Sequence, residues 1–132
     1  MKRTVLAVCA ALLTWVLVAS LLNRGLRYGM AGYAGAEPAL AFTLGMQLAR
    51  LAVAALASLA GGAVAAWIAP RDPRAPWIAG VILLAGFVPV HVKLWQSFPL
   101  WYHLSFLVTL IPLVVLGARL RRGGALAATP AA

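Results

Sequence analysis

The stretch PVHVKLWQSFPLWYHL, residues 89–104, decides how this chain folds. It sets two histidines, a lysine, two tryptophans and a tyrosine between two long apolar runs. Such a cluster is either a reactive centre or the place where two helices leave a membrane and turn back. The aromatics favour the turn. Trp95, Trp101 and Tyr102 fall at the ends of the apolar runs, where amphipathic rings sit at a membrane–water boundary. Lys93 carries an apolar stem that lets its ammonium reach water, and Ser97-Phe98-Pro99 supplies a tight reversal. Trp67 and Trp77 are expected to mark the opposite boundary.

Composition points the same way. Of 132 residues, 64% are hydrophobic and 10% charged, against about 45–50% and about 25% in soluble domains. A small water-soluble fold leaves too much of its surface wet to hide that much apolar chain. The net charge is +9, but the basic residues sit between apolar runs and form no stripe suited to nucleic acid. They read as topology signals and lipid-headgroup contacts. The one cysteine, Cys9, excludes an internal disulfide and is expected to be a small buried hydrophobe.

Outward from the opening stretch, four segments reach the ~20 apolar residues that cross a hydrocarbon layer of about 30 Å. They run about 4–22, 48–69, 77–95 and 101–120. Without water in the layer each must satisfy its own backbone, so the expected fold is an all-α membrane protein, a bundle of four transmembrane helices. Residues 23–37, with four glycines and two tyrosines, form the outer loop. Residues 38–50 extend the second helix or lie along the interface, which makes that helix long, and 123–132 form a flexible tail. Glu37 and Pro38 suit a helix start. Residues 1–20 also fit a signal peptide, but the apolar run continues through Leu21 and Leu22, so an uncleaved first helix is expected.

With the N-terminus inside, the inner side collects Lys2, Arg3, Arg71, Arg74, Arg119, Arg121 and Arg122. The outer side keeps Arg24, Arg27 and Lys93. This asymmetry predicts both termini in the cytoplasm, and the Ala- and Arg-rich usage is compatible with a bacterial inner membrane.

Arg50 is the residue whose depth matters most, because an arginine at mid-membrane costs ~2.5–3.5 kcal/mol and needs a partner. Counting back twenty residues from Pro70, about 30 Å, puts it at the outer interface. Thr43, Gln47, Arg50 and Ser58 share roughly one helix face and continue to Gly62, which makes a polar seam. His91 and His103 bracket the turn near the outer surface and are able to approach each other. Zinc, however, takes about four ligands, and no cysteine or carboxylate lies near them in the chain. A haem between the two histidines has no further support, so no metal, cofactor or catalytic residue is expected.

Pro89 and Pro112 each remove a backbone donor and kink their helices, and Thr109 is placed to bond a freed carbonyl. Ser58, Gly62 and Ala66 form a small-residue ridge that lets a neighbouring helix approach closely. No span carries a carboxylate, and no catalytic triad, phosphate loop or zinc motif is present. The expected function is therefore non-catalytic: a structural or accessory membrane component, packed in the bilayer against itself or a larger membrane partner. The alternative is an oligomeric transporter or channel for an anion or acidic lipid. Its basic outer mouth would be built from Arg24, Arg27, Arg50, Lys93, His91 and His103.

Overall fold

The computed structural model describes residues 1–127, and among these there is no strand. Five helices follow in order: α1 Lys2–Gly29, α2 Tyr33–Ala36, α3 Leu44–Ile68, α4 Arg74–Lys93 and α5 Leu100–Ala127. All but the single-turn α2 are long and apolar enough to cross a membrane. Contacts run from α1 to α3, α3 to α5, α5 to α4 and α4 back to α1, which closes a ring of four helices.

Small residues set how closely these helices pack. The main core joins Ala7, Ala11 and Trp15 of α1, Ala57 and Ala65 of α3, Ala79 and Leu83 of α4, and Leu110 and Val114 of α5. The α3–α5 seam is tightest. A Cβ on Gly62 would overlap the carbonyl oxygen of Val114, and one on Gly117 would overlap that of Leu59. The expected ridge is there, with Ser58 and Ala66 buried on either side of Gly62. Leu13, Leu17, Leu56, Val81 and Val108 are exposed on the outer faces, as suits helices whose outer surface meets lipid. Cys9 belongs to that exposed surface, not to the core as its residue type suggested.

Several boundaries differ from the sequence expectation. Helix α1 runs on to Gly29, so the first part of the 23–37 loop is helical. Helix α3 starts at Leu44, not at Pro38. Leu40 takes a positive φ of 53°, which a continuing helix cannot contain. Thr43 instead caps the helix, its Oγ1 accepting from the Met46 N–H at 3.4 Å. Glu37 starts no helix: it is the C-cap of α2, its N–H bonding the Tyr33 carbonyl, and its carboxylate forms an ion pair with Arg27. Tail residues 123–127 continue α5, and the rest of the expected tail lies outside the described residues. Thr109 bonds the Ser105 carbonyl at 2.6 Å, one turn back on its own helix. It does not reach the Val108 carbonyl that Pro112 leaves free.

Two ends follow from the contacts. At the terminal end, Thr4 Oγ1 donates to Asp72 Oδ2 at 2.5 Å, and Arg122 donates from Nη2 to the Asp72 carbonyl at 2.8 Å. One turn thus ties α1 to α5. Donation from Thr4, and then from the Arg74 N–H, holds the Asp72 carboxyl below the ordinary carboxylate range. A depressed folded value means that the stabilisation is present above the unfolded pKa of about 3.9 and is lost as the pH falls through the folded one. Asp72→Asn is expected to remove this acid-sensitive component. Unfolding curves at stepped pH, compared with the parent protein, test it. A pH response unchanged below pH about 4 would refute the role given to Asp72.

Candidate functional site

At the opposite end lies a second core of Tyr33, Phe42, Met46, Phe98 and Tyr102. Gly32, at φ 77°, turns the chain from α1 into α2 in a conformation that favours glycine. Tyr33 is thereby carried under the loop and fully buried. Phe42 stacks between Tyr33 and Phe98, with ring centroids 5.3 and 5.9 Å away.

Arg50, in the second turn of α3, is held by this cluster. Its Nη1 donates to the Tyr33 hydroxyl at 2.9 Å and its Nε to the Tyr102 hydroxyl at 3.3 Å. The guanidinium carbon sits 4.7 Å from the centroid of Phe42 and 6.0 Å from that of Phe98. Tyr33 donates onward to Asn23 at 3.4 Å. Hydroxyls and ring faces orient a cation without neutralising it. Among the described residues the one ion pair is Arg27–Glu37, so Arg50 keeps its full charge.

That charge borders a crevice of about 260 Å³ lined by all four spans, among them Trp15, Asn23, Phe87, Tyr102 and Phe106. Val16 and Ser20 also line it and are exposed on the flank of α1, so the crevice is reached from the side. The indole N–H of Trp15, one of its lining residues, is satisfied. Trp15 Nε1 donates to Ser58 Oγ at 3.0 Å, and Ser58 donates to the Ala54 carbonyl at 2.7 Å. A small-molecule site usually offers about 300–1,000 Å³. A smaller, side-opening crevice suits one end of a longer amphiphile.

The histidines are elsewhere than expected. They do not lie at the surface: His91 is 6% exposed and His103 1%. Their Nδ1 atoms are 2.7 Å apart. Trp95 stacks on His103 with ring centroids 4.9 Å apart, and Phe106 tilts against His91 at 4.6 Å. One ring must donate and the other accept. His103 Nε2 is buried without a partner. A bare nitrogen is cheaper to bury than an unmet N–H, which makes His103 the Nδ1–H donor. Two nitrogens 2.7 Å apart cannot bracket an iron, since two bonds of about 2.0 Å in line need about 4 Å. Among the described residues, no group of three metal-ligating side chains gathers.

His103→Leu is expected to cost about 1–2 kcal/mol, because it strands the His91 nitrogen in an apolar setting. Replacing both by leucine should cost less than the two single changes added together. A double-mutant cycle on reversible unfolding in mixed micelles reads this coupling, and strict additivity would break the pairing.

Of the six residues expected to share a basic mouth, only His91 and His103 meet, and Arg50 joins them indirectly through Tyr102, which packs against both rings. Arg27 is paired with Glu37. No hydrogen bond or ion pair among the described residues joins Arg24 or Lys93 to the cluster. Trp67, Trp77, Trp95 and Trp101 are exposed, whereas Tyr102 is buried and serves Arg50. Tyr33, Asn23, Phe42 and Phe98 were not legible as site residues. The available signal was the need of a deep arginine for a partner, met by a tyrosine in the glycine-rich loop.

Fold and site together define an all-helical protein with four helices long enough to span a membrane and an oriented, uncompensated arginine in a side-facing crevice. No protein-family model, no curated protein and no solved structure matches this chain.

Proposed function

We propose that this is a non-catalytic, multi-pass membrane protein that holds an acidic lipid by its headgroup in the crevice beside Arg50. The observation that carries the reading is Arg50 itself, fixed by two tyrosine hydroxyls and two phenyl faces with no carboxylate beside it. A site so built recognises a phosphate or carboxylate, which a planar guanidinium binds through paired donors. The crevice's apolar walls and side opening suit a ligand whose remainder lies in lipid.

In this reading the site lies in the outer half of a bacterial inner membrane, a reading supported by the skew of seven basic residues to the terminal end, as expected of a cytoplasmic face. Such a protein is a lipid-binding accessory component, working with further copies or a larger membrane partner. Passage of an anion through the bundle is less well supported. Trp15, which lines the crevice, is tied to Ser58, and α3 and α5 meet backbone to backbone at Gly62 and Gly117. Equilibrium binding in mild detergent tests the reading. Phosphatidylglycerol should bind about tenfold more tightly than phosphatidylcholine of the same chains. Equal binding of the two would overturn it.

A further inference from the structure

The terminal end carries a second basic site that Arg50 does not share. A cavity of about 600 Å³ lies between the end of α3 and the last turns of α5, lined by Ala66, Trp67, Pro70, Arg121, Arg122 and Leu126. Arg122 is fixed in it by donation from Nη2 to the Asp72 carbonyl, while its Nε is buried and has no partner. Arg121 is exposed beside it. Asp72, whose backbone carbonyl Arg122 reaches, has its carboxylate engaged elsewhere, accepting from Thr4 and from the Arg74 N–H. Both arginines thus line the cavity, and among the described residues neither forms an ion pair. The other wall is apolar, and Trp67, 67% exposed, stands at its rim as a membrane-boundary ring.

We propose that this cavity binds the headgroup of an anionic phospholipid, its phosphate taken by the guanidiniums of Arg121 and Arg122. The volume falls within the range of about 300–1,000 Å³ that holds a small ligand. The apolar wall of Ala66, Trp67 and Leu126 meets the glycerol and the first acyl carbons. Inorganic phosphate has no use for that wall, which is why the site selects a lipid. Basic pockets between helices at a positively charged membrane face recognise such headgroups. The site is independent of Arg50 and lies at the other end of the spans.

Native mass spectrometry of the full chain, released from mild detergent loaded with phosphatidylglycerol, tests this in an Arg50→Gln background so that the outer site does not contribute. One phosphatidylglycerol adduct is expected to remain in that background. Adding Arg121→Gln with Arg122→Gln should weaken it about tenfold. Arg121→Gln alone disturbs no hydrogen bond of the fold and should weaken it severalfold, which keeps the test valid if Arg122→Gln misfolds. An adduct that survives both arginine changes overturns the proposal, as does equal retention of phosphatidylcholine. Displacement of the adduct by millimolar inorganic phosphate would make the site one for free phosphate, which also overturns it.

Discussion

Gly62→Ala and Gly117→Ala are each expected to destabilise the folded protein by about 3 kcal/mol, the upper part of the range for overpacking a close-fitted interface. The reason is local. Helices α3 and α5 touch backbone to backbone, so a methyl group on Gly62 would occupy the position of the Val114 carbonyl oxygen, and one on Gly117 that of Leu59. Neither neighbour is a side chain that swings aside; the helices themselves must part. Parting them opens the packing of Leu110, Val114 and Ala65, all buried on the same seam. In lipid there is little hydrophobic drive to restore it, because tails solvate the separated faces as well as helix does. Gly86→Ala is the control. Nothing lies within 4 Å of a Cβ at Gly86, so that change should be neutral or slightly stabilising. Reversible unfolding in mixed micelles, followed by circular dichroism, separates the cases. If Gly62→Ala and Gly117→Ala behave like Gly86→Ala, the close seam is wrong.

Arg50→Gln is expected to weaken acidic-lipid binding about thirtyfold, or about 2 kcal/mol, the loss of a charge-assisted hydrogen bond in a partly desolvated site. Glutamine can still reach one tyrosine hydroxyl, so the aromatic cradle of Phe42, Phe98 and Tyr102 stays packed. Arg50→Lys should recover part of the loss, because a point charge replaces the planar fork and forfeits the paired donors. Phosphatidylcholine binding should change little in either variant. That contrast separates a lost anion contact from a damaged fold. A uniform fall for both lipids would mean that Arg50 is only structural.

Much of this architecture was legible in the sequence because membrane crossing leaves a coarse signal. Long apolar runs are set by the solvent and need no knowledge of neighbours. The turn at 94–99 was readable for the same reason, and Ser97 N–H indeed closes it on the Leu94 carbonyl at 2.9 Å. What the chain does at the loop end was not. Pro38 looks like a helix start, yet burial of Phe42 against Tyr33 and Phe98 delays α3 until Thr43 can cap it. That burial is tertiary and has no local mark. The histidines were misplaced for a related reason. Sequence spacing puts both near a membrane boundary, whereas the angle between α4 and α5 decides whether they face water or each other. Arg50 was recognised as a residue needing explanation, but its partners come from positions 17 and 52 residues away.

The most direct test of the central claim is a distance between the Arg50 guanidinium and lipid phosphorus. Solid-state NMR can supply it from the dephasing of arginine side-chain nitrogens by phosphorus in phosphatidylglycerol bilayers. The spectrum of Arg50→Gln is then subtracted from that of the parent protein, which isolates one side chain. A paired guanidinium–phosphate contact predicts a component at about 4 Å in the difference. Identical dephasing in the two proteins would mean that no phosphate reaches Arg50, and the crevice would then have to be read as packing alone.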